Sequence, residues 1–393
     1  MRIEWKKREL EEVCSVDYGT RVVQKRDGGS IYPVYGGGGA TFFMDTFNRE
    51  NQMVIARFAM SEQCTRFVEG KFFLNDSGLT VSPKDNKVLF QKFLDYQLLF
   101  LNDYIYSLSR GAAQKNLDVP AFRTIEIAFP ESTSEQKRVA TILDNAFVAM
   151  DKAKINIEKN LENARGLFES FLKCIFFNED WEQKTLKQVS SEFSRGKSKH
   201  RPRGDMKLLG GKYPLIQTGD VSNSEHWINT YSQTYNEVGL GQSKLWPKGT
   251  VCIAIVGSNV AETSILNFNA CFPDSIIGLV VDKQKANNEY VEYLLQSFKT
   301  ILKEKGKGTA RDNINVGTFE NQNFPFPNVE IQEEIAANLN GLSTNTKNLE
   351  SIYYQKLADL EELRKSILQK AFSGQLSESG LAGLKDEQDV LIG

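Results

Sequence analysis

The sequence predicts an α+β protein in which two similar, mixed and β-rich globular domains are separated by two long antiparallel helices that form a coiled coil. Two observations carry this prediction: the chain is duplicated, and each copy ends in a long helical periodicity. Trp5–Leu10 (WKKREL) returns as Trp181–Leu186 (WEQKTL), and Gly111–Leu117 (GAAQKNL) returns as Gly308–Ile314 (GTARDNI). A duplicated unit, globular part first and helix second, implies internal pseudo-two-fold symmetry.

The duplication divides the chain into five predicted segments. The first globular domain covers 1–130 and is followed by a helix at 131–178. The second globular domain covers 179–327 and is followed by a helix at 328–376. The last segment, 377–393, has no counterpart in the first half, and we expect it to be a loose acidic tail.

Within the globular domains, short apolar runs alternate with turn residues, which is typical of strands in a mixed sheet. The four glycines at Gly36–Gly39 indicate a turn rather than a phosphate loop, because no Gly-Lys-Ser/Thr sequence follows them. The predicted elements are strands at Met53–Ala56 and Ile125–Phe129 with a helix at 88–105, and in the second domain a strand at Val251–Val256 and a helix at Tyr290–Leu302.

The two long helices are predicted from residues that recur every three or four positions. After Pro130, Thr133 and Gln136 have the spacing of a capping box at the start of the first helix. A helix of about 45 residues is about 65–70 Å long, too long to be buried within one domain. We therefore expect the two helices to pack on each other through their apolar positions. Ten positions of the first helix recur 196 residues later in the second, namely Leu143, Ala146, Met150, Ala153, Ile157, Leu161, Ala164, Leu167, Phe171 and Ile175, which recur as Leu339, Leu342, Thr346, Leu349, Tyr353, Leu357, Leu360, Leu363, Ile367 and Ala371.

Composition favours an ordinary soluble protein. The 393 residues are 40% hydrophobic and 25% charged, and the net charge is −2. No run of 18 apolar residues and no apolar N-terminal signal region is present, which argues against a membrane span or export. The five cysteines are scattered, odd in number and without CxxC spacing, so we expect reduced thiols and a cytoplasmic location.

The order and spacing of the repeated motifs resemble the specificity subunit of type I restriction–modification systems. The motifs are the Trp-led openings, the Gly-x-x-x-x-Asn-Leu/Ile elements that begin at Gly111 and Gly308, and the helix starts in which Gln136 follows Pro130 and Gln332 follows Pro327. The resemblance covers residues 1–376.

This resemblance implies a non-catalytic DNA-binding subunit without a cofactor of its own. Each globular domain would be a target-recognition domain that reads one half of a bipartite, asymmetric target in double-stranded DNA. The helices would set the gap between the half-sites and dock methyltransferase subunits, two of them in our expectation. S-adenosylmethionine, ATP and Mg²⁺ would be held by these and by the restriction/translocase subunits. We expect a monomer whose pseudo-symmetry matches that of duplex DNA.

Phosphate contacts are predicted where cations cluster near glycine or proline. The strongest cluster is a basic loop, expected to be flexible, with Arg195, Lys197, Lys199, Arg201 and Arg203, and its thinner equivalent in the first domain contains Arg21, Lys25 and Arg26. A solvated surface loop is the alternative. The repeated turn is the second candidate, with Arg110, Gln114, Lys115 and Asn116 in the first domain and Lys307, Arg311, Asp312 and Asn313 in the second. A strand-connecting turn is its alternative.

Base readout is expected from polar residues that differ between the two domains. The candidates are Arg57, Ser61, Gln63 and Arg66 in the first domain, and Gln217, Thr218, Ser258 and Asn259 in the second. Each of them can instead be a loop side chain whose hydrogen bonds are satisfied within the protein.

Enzyme chemistry has little support in the sequence. Two histidines, His200 and His226, are too few for most metal or triad sites. The repeated pairs Asp76-Ser77 and Asp274-Ser275 favour a structural turn over a catalytic site. The remaining alternative is a non-enzymatic, two-headed coiled-coil adaptor that binds other proteins.

Overall fold

The computed structural model describes residues 5–177, 180–306, 314, 316–320 and 322–376. It divides into two compact units, each built from one globular domain and a part of each long helix. The first unit joins residues 1–159 to 353–393, and the second contains residues 160–352. The linear division of the chain into five segments stays a prediction.

The globular domain of the first unit is mostly β-structure. A six-stranded sheet has the order β2-β7-β5-β6-β3-β4, in which β3 and β6 are parallel and the other neighbours antiparallel. The strands are β1 (Trp5–Glu9), β2 (Cys14–Tyr18), β3 (Tyr32–Gly36), β4 (Gly39–Met44), β5 (Arg49–Ala56), β6 (Thr65–Leu74), β7 (Gly78–Pro83), β8 (Ser109–Arg110), β9 (Asn116–Leu117) and β10 (Glu126–Pro130). The helices are α1 (Leu10–Val13), α2 (Gln24–Asp27), α3 (Gln91–Phe100), α4 (Asn102–Ser107) and α5 (Val119–Arg123).

The start and the end of this domain are joined by a strand pair. β1 pairs antiparallel with β10, so that Trp5 lies opposite Pro130. The predicted glycine turn is present between β3 and β4, and the predicted helix at 88–105 is divided into α3 and α4. Helix α3 buries Phe93, Leu94 and Leu98 in the core of the unit.

The first long helix, α6, spans Thr133–Phe176, and the second, α12, spans Val329–Phe372. The predicted capping box at the start of α6 is wrong. Gln136 is fully buried, and its side chain binds backbone groups of Phe90, Val88 and Pro130 instead of its own helix end. Because a buried amide requires partners, it bonds to the segments that pack over it.

The globular domain of the second unit repeats the plan with two sheets. Their orders are β12-β20-β17-β18-β14 and β15-β13-β19-β16, and each contains one parallel pair. The strands are β11 (Gln183–Lys184), β12 (Ser190–Arg195), β13 (Leu209–Leu215), β14 (Trp227–Ile228), β15 (Gln233–Tyr235), β16 (Leu245–Trp246), β17 (Val251–Ala254), β18 (Thr263–Leu266), β19 (Ala270–Cys271), β20 (Ile276–Val281) and β21 (Phe324–Pro325). The helices are α7 (Thr218–Asn223), α8 (Glu237–Gly241), α9 (Asn288–Ser297), α10 (Lys299–Gly306) and α11 (Val316–Glu320), with 3-10 turns at Met206–Leu208 and Gly257–Asn259.

The core of the second unit lies around its central strand. β17 is buried along its whole length and has antiparallel neighbours on both sides, which explains its unbroken apolar sequence. Helix α9 packs against it through Val291, Leu294 and Leu295. β11 pairs with β21, the counterpart of the pair that closes the first domain.

Within the first unit, the two long helices run antiparallel. Asp151 lies beside Arg364, and Lys154 lies beside Glu361, so residue numbers fall along α12 as they rise along α6. Apolar residues fill the seam as predicted for this part of the helices, namely Leu143, Met150, Ala153 and Ile157 with Leu360, Leu363, Ile367 and Ala371.

Within the second unit, the predicted seam is wrong at three positions. Leu167, Phe171 and Leu349 are exposed. Phe168, Leu172 and Phe176 pack into the core of the second domain instead. A straight α-helix drifts by about 20° per heptad relative to a strict seven-residue repeat, so the buried stripe moves by one position along α6.

Candidate nucleic-acid interface

In the first unit, the predicted turn and the predicted reader Arg57 lie side by side. The turn closes the β8–β9 hairpin, and the segment that follows β5 carries Arg57. Three hydrogen bonds hold the two segments together: Leu117 N to Arg57 O at 2.9 Å, Met60 N to Lys115 O at 2.8 Å and Ala59 N to Asn116 Oδ1 at 3.2 Å. We call this surface, residues 57–63 with 110–116, the hairpin surface.

The hairpin surface carries exposed polar groups on a fixed backbone. Gly111 has φ +113°, and a Cβ there would meet Gln114 O at 2.2 Å, so this turn requires glycine. Arg110 is 80% exposed while it forms an ion pair with Asp118. The Lys115 ammonium lies 4.9 Å from the ring centroid of Tyr106, and Gln114 is exposed. Donors held in this way suit contacts to phosphate oxygens or base edges.

Arg57 is the best anchored of the predicted readers. Its guanidinium lies 4.4 Å from the ring centroid of Phe58 and 4.8 Å from that of Tyr18. Its Nη1 donates to Asp76 O at 3.3 Å. Stacking on two rings restricts a long side chain that otherwise loses rotamer entropy on binding. Tyr18 was not predicted to take part, because nothing in the sequence links it to a residue 39 positions away.

The same backbone frame supports the second domain. Ile314 N donates to Ile255 O at 3.2 Å, as Leu117 N does to Arg57 O. In both units the repeated Asp-Ser turn braces the segment from the other side, since Arg57 N donates to Ser77 O and Ile255 N donates to Ser275 O. This agrees with the structural turn role expected from the sequence. An apolar isoleucine therefore occupies in the second unit the position that arginine occupies in the first.

The predicted readers of the second domain lie next to this frame. Ser258 and Asn259 form the 3-10 turn just after Ile255, and Ser258 is exposed. Gln217 and Thr218 begin α7, which packs against β17 and against that turn. The repeated-turn residues Lys307, Arg311, Asp312 and Asn313 lie outside the described residues.

The basic loop of the second domain, expected to be flexible, is held by ion pairs with acidic residues. Arg201 and Arg203 both form ion pairs with Asp274, and His200 Nε2 lies 2.8 Å from Asp205 Oδ2. Asp274 is 71 residues from Arg203, so this ion pair could not be predicted from the local sequence. In contrast, Arg195 and Lys199 are exposed and have no ion-pair partner in the described part of the chain. Lys197 is exposed as well.

In the first domain, the thinner basic segment forms α2 and the residues before it. Arg26 binds Asp27 in a bidentate manner, with both N–O distances at 2.9 Å. These hydrogen bonds hold the pKa of the Asp27 carboxyl below its usual value. Arg21 and Lys25 are exposed and unpaired among the described residues.

The last predicted readers contribute to a cavity of about 580 Å³ in the first unit. Gln63 and Arg66 line it together with Arg364 and Lys365 of α12. Ser61 lies at the exposed edge, where its Oγ donates to Gln63 O at 3.3 Å. The structure therefore places the predicted readers of the first domain on the hairpin surface and at this adjoining cavity, with Gln63 belonging to both, and those of the second domain at the 3-10 turn and α7.

The described residues contain no group of three or more His, Cys, Asp or Glu side chains that could hold a metal ion. None of the described helices is long and apolar enough to cross a membrane. All five cysteines are free.

A family model matches most of the chain, in two copies. It is described as the type I restriction modification DNA specificity domain, and it matches residues 2–164 and 178–359. Among characterised relatives, the chain is 25% identical to the type I restriction enzyme MjaVIII specificity subunit of Methanocaldococcus jannaschii over 342 residues, which are 79% of this chain and 77% of that protein. It is 22% identical to the EcoBI specificity subunit of Escherichia coli over 275 residues, which are 62% of this chain and 57% of that protein.

Solved structures with the same fold agree with this match. The HsdS subunit from Thermoanaerobacter tengcongensis aligns over 95% of this chain and 97% of its own, with a TM-score of 0.58 and 17% identity. A chain from a structural study of complex assembly in a type I restriction–modification system aligns over 96% of this chain and 100% of its own, with a TM-score of 0.74 and 15% identity. The two repeated domains, the mixed sheets and the long helices are the shared features. This chain therefore belongs to the family of type I restriction–modification DNA specificity subunits, whose role is DNA sequence specificity.

Proposed function

We propose that this chain reads a bipartite, asymmetric DNA target, with a different short sequence recognised by each globular domain. One observation carries the proposal. The two domains share a backbone frame, but at the equivalent position of that frame one has the half-buried Arg57 and the other has Ile255, which is fully buried. Two domains with the same backbone frame but different side chains at equivalent positions are suited to reading two different half-sites.

The chemistry of the interface side chains fits a division between base contacts and phosphate contacts. Arg57, Gln114 and Asn116 carry the donors that read purine edges in the major groove. Arg195, Lys197 and Lys199 carry charge that neutralises phosphates. Arg201 and Arg203 share Asp274, so we expect their contribution to phosphate binding to be smaller.

The two long helices would set the gap between the half-sites. Each helix has 44 residues, which is about 66 Å at 1.5 Å per residue. Both helices begin in one unit and end in the other.

The chain would be the non-catalytic member of a larger complex. Two methyltransferase subunits would dock along the helices and bring S-adenosylmethionine, and the restriction subunits would bring ATP and Mg²⁺. The finding that supports this is the family itself, whose members are specificity subunits.

The test is selection of bound sequences from a pool of random duplexes, followed by titration of the selected duplex at rising salt. We expect two different motifs at a constant distance and an affinity that falls steeply with salt. A control pool with the same composition but single-stranded should be bound weakly. A flat salt response and no selected motif would overturn the proposal and favour the two-headed protein-binding adaptor.

A further inference from the structure

A buried glutamine joins each globular domain to its long helix. In the first unit, Gln136 lies on the first turn of α6 and is fully buried. Its Oε1 accepts a hydrogen bond from Phe90 N at 2.7 Å, and its Nε2 donates to Val88 O at 2.9 Å and to Pro130 O at 2.8 Å. One side chain thus holds the end of β10, the segment before α3 and the start of α6.

The second unit contains the same three contacts. Gln332 lies on the first turn of α12 and is fully buried. Its Oε1 accepts from Asn287 N at 3.0 Å, and its Nε2 donates to Lys285 O at 3.2 Å and to Pro327 O at 2.8 Å. Each of the three backbone partners is 197 residues beyond its counterpart in the first unit.

Both protons of each amide group and its oxygen are used, so the network is complete. A complete buried network tolerates little rotation, because turning the domain on the helix breaks three bonds that water cannot replace. An apolar side chain of the same size would fill the space, but it would leave one backbone N–H and two backbone carbonyls without hydrogen-bond partners. The glutamine therefore fixes an angle as well as a contact.

A second polar contact lies about two turns further along each helix. Tyr96 OH donates to Asp144 Oδ1 at 2.5 Å, and Tyr293 OH donates to Asn340 Oδ1 at 2.8 Å. Two points of attachment define an orientation where one would allow a pivot. The glutamine is the same in both units, whereas the acceptor changes from carboxylate to amide.

We propose that Gln136 and Gln332 are positioning residues for DNA reading: each fixes the orientation of its recognition domain on its long helix and so determines how strictly the gap between half-sites is selected. This inference rests on the proposed reading of a bipartite target. The glutamines are buried and do not touch DNA. They determine how strictly the gap is selected, while the side chains of the interface select the bases of each motif.

The experiment measures binding of the full chain to duplexes that carry both selected motifs with the preferred gap, or with one base pair more or fewer. For Gln136→Met and Gln332→Met, we expect discrimination between gaps to fall about ten-fold, the ratio that corresponds to loss of about one buried hydrogen bond. The preferred letters of both motifs should be unchanged. Ser134→Ala and Asn338→Ala are matched controls. Ser134 is exposed two residues before Gln136, and Asn338 is exposed six residues after Gln332. Both control variants should discriminate between gaps as well as the parent chain does.

The variant Gln136→Glu separates positioning from mere loss of stability. An ionised glutamate faces two carbonyl oxygens and repels them, whereas a protonated one restores one donor and keeps the acceptor. Gap discrimination, normalised to the parent chain at each pH, should therefore recover between pH 8 and pH 5.5 for Gln136→Glu but not for Gln136→Met.

Each negative result has a distinct meaning. If the parent chain does not distinguish the gaps, the proposed bipartite reading fails. If the parent chain distinguishes them and the folded glutamine variants do so equally well, or if affinity falls alike at every gap, the positioning role is overturned.

Discussion

Asp95 in the first domain and Glu292 in the second occupy equivalent places on α3 and α9, but their surroundings differ. Asp95 is buried, and Gln91 Nε2, 2.8 Å away, is its side-chain partner. Burial raises the pKa of its carboxyl to about 7. Glu292 is buried as well, but it accepts from Thr263 Oγ1 and Gln296 Nε2 and lies 2.6 Å from His226 Nδ1.

The duplicated frame therefore tolerates opposite solutions at the same position. The second domain gives its buried acid a full set of partners, and the Tyr293 ring stacks on His226 at 4.4 Å to complete the cluster. The first domain leaves its acid with few partners, so protonation is the less costly state there. The frame is shared, while the polar groups packed within it have diverged along with the surface.

The largest expected effect comes from the partnered acid. Glu292→Gln removes the charge that three groups share, and we expect the free energy of unfolding to fall by about 3 kcal/mol. Chemical denaturation at neutral pH measures it. Glu237→Gln, at an exposed glutamate, is the control and should change stability by less than about 0.5 kcal/mol. An unchanged denaturation midpoint for Glu292→Gln would contradict the comparison.

The opposite sign is expected for the poorly partnered acid. The pKa of Asp95 is raised to about 7, so between about pH 4 and pH 7 the unfolded chain releases a proton that the folded chain keeps. The free energy of unfolding therefore falls as pH rises through this window. Asp95→Asn removes this dependence. The free energy of unfolding of the variant, relative to that of the parent, should therefore be about 2 kcal/mol higher at pH 8 than at pH 5. Parallel pH profiles for the two chains would show that the acid is not held protonated.

The presence of Arg57 in the first unit, where the second unit has the buried Ile255, predicts an effect on one half-site. Arg57→Ala should weaken binding about ten-fold and relax base preference in one motif, with the other motif unchanged. Sequencing of the duplexes that the variant selects measures both. Equal loss in both motifs would mean that Arg57 contacts phosphate or holds the fold.

The smallest effect is expected within the basic loop. Lys199→Ala should weaken binding to all duplexes about two- to three-fold. It should also reduce the slope of log affinity against log salt concentration by about one. Arg203→Ala removes a cation that Asp274 already compensates, so its change in salt slope should be smaller. If both variants change the slope equally, Asp274 does not reduce the charge that Arg203 presents to DNA.

Much of the fold was predictable because the chain repeats itself. Matching periodicity identified the long helices, and turn residues identified the hairpin of the first domain. The three misplaced seam positions, Leu167, Phe171 and Leu349, came from continuing a spacing of three and four residues along both helices, whereas the core of the second unit contains the neighbouring residues Phe168, Leu172 and Phe176.

The site was predictable only where its residues are close in sequence. The repeated turn was found because its residues are contiguous. The stacking of Arg57 on Tyr18 and the pairing of Arg203 with Asp274 depend on residues tens of positions apart. Gln136 carried a visible signal, but local spacing suggested a cap where packing made a buried link.

Shortening both helices by one matched heptad tests directly whether they set the gap between the half-sites. Residues 151–157 of α6 and 358–364 of α12 lie opposite each other in the first unit, and their joint deletion shortens the connection by about 10 Å. The duplexes that this variant selects should keep the letters of both motifs and bring them closer by about three base pairs. A folded variant that selects the original gap, or that selects new letters, would contradict the account.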